Sequence, residues 1–120
     1  MGYESKIIIA ERSSSDYSGK GYVYCEVVAL FNLCKASFIT DAFKKPEKPV
    51  EIYFDGGDDE SIIVDCYGDE LTVASVPDVI KLLKKEIKKD KYRRLKPLLG
   101  ILEGFNLEEW HDLICIHYGY

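Results

Sequence analysis

Ser75-Val76-Pro77-Asp78 opens the stretch that most constrains this chain. Ser is a preferred helix cap, proline is tolerated in the first turn where no backbone donor is needed, and an acid suits the positive helix end. After it, Val76, Val79, Ile80, Leu83 and Ile87 recur at helical spacing, within an arc of roughly 100°. Lys81, Lys84, Lys85 and Lys88 fall on the opposite side. The longest apolar runs before it, "KIIIA" and "VVALF", are only strand-sized. A long amphipathic helix following such runs requires a sheet with helices laid on it.

The remaining elements come from periodicity and punctuation. Residues 5–12, "SKIIIAER", alternate with Ile7 and Ile9 on one side. Residues 21–31, "GYVYCEVVALF", form a longer strand, with Val23, Cys25, Val27 and Ala29 on one face and Tyr22, Tyr24, Glu26 and Val28 on the other. The two pair most simply as a hairpin. "SFITDAF" is a short helix or turn, and "KKPEKP" is a surface connection, because Pro46 and Pro49 exclude a regular element. "VEIYFD" (50–55) and "SIIVDCY" (61–67) read as two strands joined by "GGDDE". A second helix is expected over about 92–103, with Pro97 either kinking it or near its start and Gly104 ending it. "NLEEWHD" adds a turn, and "LICIHYGY" is apolar enough to be an interior strand. The expected fold is a single α+β domain over 1–120: a mainly antiparallel sheet of about five strands, with two or three helices packed on one face.

Composition narrows the function classes. At 120 residues and 47% hydrophobic content the chain can bury a core without staples. No apolar run approaches the ~20 residues of a membrane helix, and "MGYESK" lacks the layout of a signal peptide, so a cytoplasmic protein is expected. Cys25, Cys34, Cys66 and Cys115 include no CxxC pair and read as reduced, buried thiols. The formal charge of −5 hides an asymmetry. Residues 81–96 carry nine of the sixteen Lys and Arg against Glu86 and Asp90, a segment charge of +7 that leaves −12 elsewhere.

Two charged stretches are candidate surfaces. From Asp55 to Glu70 there are seven acids and no base: Asp55, Asp58, Asp59, Glu60, Asp65, Asp69 and Glu70. The spacing does not match a calcium loop of EF-hand type, whereas Asp55-Gly56-Gly57-Asp58 between two strands suits a hairpin turn. Such an acidic patch can face a basic groove on a partner or serve as a solvated edge against aggregation. The basic strip, with Lys84, Lys85, Lys88, Arg93 and Arg94 and with Tyr92 for stacking, suits phosphate contacts; it also suits a solvated helix face. Cys115 and His117, two apart on a strand, face one way and would need Cys66 or Cys25 to make a zinc site. No Walker A, GxGxxG, GxSxG or HExxH sequence occurs, which moves the reading away from an enzyme and implies no cofactor.

"MGYESKIII", "YFDGG", "YRRLKPLLGILEGF" and "WHDLICIHYGY" together resemble a family of small uncharacterised phage-encoded proteins. The resemblance runs through most of the chain and brings no functional residues with it. It implies a phage or prophage accessory protein working in the bacterial cytoplasm. By class analogy such a protein acts by binding a host protein, for example as an inhibitor of a bacterial defence system of the anti-CRISPR type. Asp55, Asp58, Asp59, Glu60 and Asp69 are then the expected contacts. A nucleic-acid or nucleotide binder using the basic strip, and a small metal-dependent enzyme, are the alternatives. Trp110 and the terminal tyrosines are candidate interface anchors or core residues, and an exposed strand edge could build a homodimer.

Overall fold

The computed structural model describes residues 5–12, 23–34, 41–53, 61–65, 67–88 and 95–119. They form β1 (Ser5–Arg12), β2 (Val23–Cys34), β3 (Val50–Tyr53), β4 (Ser61–Ile62), β5 (Thr72–Ser75), α1 (Val76–Ile87), α2 (Leu95–Glu103) and β6 (Leu113–Gly119). The six strands make one sheet in the order β4-β3-β2-β1-β6-β5. The α+β class and the antiparallel β1–β2 and β3–β4 pairs agree with the sequence reading, and β6 lies inside the sheet between β1 and β5. The sheet is mixed, however, and not the mainly antiparallel sheet of about five strands expected. β3 does not turn back along β2 but pairs with it in parallel. The described helices number two.

The sixth strand, β5, has no sequence signal of its own. Its four residues run without a loop into the helix start, so Ser75 is both the last strand residue and the cap of α1. Its backbone is extended (φ −72°, ψ 152°), and its hydroxyl accepts a hydrogen bond from the Asp78 amide at 3.2 Å. Ser75→Ala removes that acceptor and is expected to lower stability by about 1 kcal/mol, read as a shift in the urea midpoint with an unchanged slope.

Both helices sit on one face. Ile7, Ile9, Leu113 and Cys115 of the sheet are buried against Val76, Val79 and Leu83 of α1 and Leu95, Leu98 and Leu102 of α2. The predicted apolar arc of α1 is thus the buried one, and Lys81, Lys84, Lys85 and Lys88 are exposed. Pro97 lies in the first turn of α2, where no intrahelical donor is lost, so no kink is needed. The Gly104 amide closes the helix on the Gly100 carbonyl at 3.1 Å, and a Cβ there would lie 3.3 Å from that same oxygen.

The opposite face has its own apolar cluster: Ile8, Ala10, Cys25, Val50, Ile52, Leu71 and Ile116. No described helix covers it; the sheet curls over it. Lys44 pairs with Val73 on the outer side of β5, with backbone bonds of 2.9 and 2.8 Å, yet Val50 lies beside Val23 in β3. In a flat sheet those points are roughly 24 Å apart across the strands and a further ~23 Å along β2. The six-residue step from Lys44 to Val50 reaches at most about 22 Å. The edges must therefore bend toward each other, with the helices on the convex side.

A bulge in β2 lets one strand serve both clusters. Ile9 is opposite Ala29 but the next residue, Ala10, is opposite Val27, so Val28 is the extra residue. Val23, Cys25 and Val27 pack into the concave cluster, while Ala29 and Phe31 pack toward the helices. This corrects the reading that placed Ala29 on the same face as Val23, Cys25 and Val27. Strict alternation holds only up to the bulge.

Candidate functional site

The strand expected through Tyr67 stops at Ile62. Beyond it the chain makes a tight hairpin whose flanks meet at the Val64–Glu70 bridge. Asp65 organises it. Its amide donates to the Asp69 carbonyl (2.9 Å), its carbonyl accepts from the Gly68 amide (3.1 Å), and its carboxylate Oδ1 accepts from the amides of Tyr67 (2.9 Å) and Asp69 (3.0 Å). Gly68 supplies the left-handed backbone (φ +80°) that the loop demands and that a side chain would strain. The sequence signal for this turn was present in Asp65 and Gly68, at positions a type I turn with a following glycine prefers.

Residues on and beside the turn are exposed. Ile63 is 37% exposed, Val64 41% and Tyr67 53%, with Asp69 exposed beside them. Glu70 is partly engaged, since its Oε2 lies 3.0 Å from Lys45 Nζ; at the surface such a pair contributes little. Of the five acids expected to form the contact surface, Asp69 is therefore exposed on an ordered turn. Asp55, Asp58, Asp59 and Glu60 lie outside the described residues, as does the tip of the hairpin expected there. Tyr67, which sequence reasoning did not single out, is the most exposed of the large hydrophobic residues there.

On the basic strip, Lys84, Lys85 and Lys88 are exposed on α1. Lys84 Nζ is 3.4 Å from Glu103 Oε2, tying α1 to α2 across the surface. Arg93 and Arg94 lie outside the described residues. Trp110 is half-buried, meeting Phe105 edge-on at 5.5 Å and packing against the helix-side core, and Tyr118 packs on the concave cluster. Both finish the core.

Cys115 and His117 do share a face of β6. His117 Nε2 is 2.9 Å from the buried Ser5 hydroxyl, and its ring tilts against Phe43 at 5.7 Å. Burial pushes the Cys115 thiol up to about 12, so it holds its proton at neutral pH and is a poor nucleophile. Cys25 belongs to the opposite face and cannot join a zinc set with them; Cys66 lies outside the described residues. Among the described residues no three metal-ligating side chains cluster. Among them, too, no helix is long and apolar enough to cross a membrane.

These buried groups set a pH window for stability. Burial lowers the His117 pKa below 6.5, opposed by the nearby Asp65 charge. The unfolded chain therefore takes up a proton first as pH falls below 6.5, and stability drops. Burial raises the Cys25 thiol to about 11, against the pull of Arg12, and Cys115 to about 12. Above pH 9 the unfolded thiols ionise while the folded ones do not, so stability falls again. Urea midpoints measured across pH should show both limbs, and His117→Gln should flatten the acid limb just below pH 6.5 while leaving the alkaline one.

No protein-family model matches the chain, and neither does any curated protein or solved structure compared with it.

Proposed function

We propose that this is a phage accessory protein that acts by binding a basic surface on a bacterial host protein, with the Asp65 turn at the centre of the contact. The observation that carries this reading is the exposure of Ile63, Val64, Tyr67 and Asp69 on and beside a turn closed by the Asp65 hydrogen bonds. A preformed loop presenting an aromatic between acids loses little conformational freedom on binding, and tyrosine is favoured where binding energy concentrates. The −12 charge outside residues 81–96 would steer the protein toward a cationic partner. A groove that normally holds nucleic acid has that character. Inhibition of a defence nuclease, of the anti-CRISPR type, is the sharpest form of the proposal, with Asp55, Asp58, Asp59 and Glu60 extending the acidic contact.

The test is affinity capture of the tagged full chain from bacterial lysate, with and without nuclease. A defined protein retained after nuclease treatment, and released by Asp69→Lys, supports the proposal. Retention abolished by nuclease would move the function to Lys84, Lys85 and Lys88 and to nucleic acid. Both outer strands are unpromising for self-association through an edge. β4 is only two residues long, and the outer side of β5 is already bonded to Lys44 at Val73.

A further inference from the structure

At one end of the curled sheet lies a cleft of about 630 Å³, within the ~300–1,000 Å³ range of small-molecule sites. Val23 and Val50 line it from one side of the curl, and Val73, Leu113 and Ile114 from the other. Val23, Val73 and Ile114 are only half-buried, so apolar side chains face open space where the concave core reaches the surface.

Three cations line the same cleft. Arg12 comes from the end of β1, and Lys44 and Lys48 come from the link that closes the curl. Among the described residues none of the three takes part in an ion pair. Glu47 and Asp78 also line the cleft. Asp78 sits on the first turn of α1 and its amide is already bonded to Ser75, so the helix end is not counted as a donor. Three cations against two acids leave a single positive excess, on a chain whose net charge is −5.

We infer that this cleft binds a small organic monoanion with an apolar body. The anionic head lies against Arg12, Lys44 and Lys48, where the planar guanidinium can pair with two oxygens at once. The body covers Val23, Val73 and Ile114. The excess of one positive charge matches one negative charge, and not a polyanion. None of the described residues of the Asp65 turn lines the cleft, so this site stands independently of the proposed protein contact.

The test is a titration of the ¹⁵N-labelled full chain with sodium octanoate, 1-octanol and inorganic phosphate, followed by amide shifts. Octanoate is expected to give saturable shifts at Val23, Val73 and Ile114, with octanol about tenfold weaker and phosphate alone giving none. The double variant Lys44→Glu, Lys48→Glu changes two exposed side chains and leaves the Lys44 backbone bonds in place. It should weaken octanoate binding about tenfold or more at an unchanged unfolding midpoint. Equal shifts with octanol and octanoate, saturation by phosphate alone, indifference to the double variant, or no saturable shift below ~10 mM would each overturn the inference.

Discussion

Leu83→Ala is expected to lower stability by about 3 kcal/mol, within the range for removing a buried leucine side chain. Leu83 has no exposed surface and sits where α1 meets both the convex face of the sheet and α2. Its loss leaves a cavity lined by elements already packed on one another, which can close in only in part. A domain of this size has only about 5–15 kcal/mol of stability in total. The thermal midpoint should therefore fall by about 10 °C or more. Leu30, on the same sheet but 46% exposed, is the control. Leu30→Ala should cost well under about 1 kcal/mol. Denaturant curves on the two variants check this, and comparable losses would mean that the two-cluster core is wrongly drawn.

On the proposed contact, Tyr67→Ala should weaken partner binding by about 2 kcal/mol, some thirtyfold, as loss of an aromatic anchor does. The unfolding midpoint, measured alongside, separates loss of the contact from loss of the fold. Asp69→Lys should act mainly on the association rate and lose its effect in high salt, since it reverses a steering charge. Asp65→Ala separates geometry from contact. It releases the amides of Tyr67 and Asp69, so the loop must be ordered on binding, and affinity should fall even if Asp65 never touches the partner. Calorimetry or surface-binding kinetics on the captured protein would distinguish the three. An unaltered affinity in Tyr67→Ala would remove the turn from the contact.

Much of the architecture was readable because local signals agreed with one another. The Ser75 cap, the proline beside it and the apolar arc of α1 are all short-range features, and each kept its meaning in the fold. What escaped was non-local. The four residues of β5 carry no strand signature without β6 beside them, and nothing in β2 announces that Val28 will be skipped by the register with β1. The parallel β2–β3 pair depends on a return path, which periodicity does not encode. At the candidate sites, the charge of the acidic stretch was visible, but the exposure of Tyr67 depends on a turn that cuts short an apparent strand. Arg12, Lys44 and Lys48 are scattered in the sequence; only the curl brings them to one rim.

The sheet order also has a consequence in time. Of the described strands β1 is made before the other five and lies at the interior of the sheet, yet one of its two neighbours is β6, which follows them all in sequence. On a ribosome adding ~5–20 residues per second, the β6-facing side of β1 stays unpaired for several seconds until β6 emerges. Ile7 and Ile9, which end wholly buried beneath both helices, must wait as well. Such distant pairing predicts slow, late and highly cooperative acquisition of structure. A nascent chain halted just short of β6 should remain sensitive to protease along most of its length.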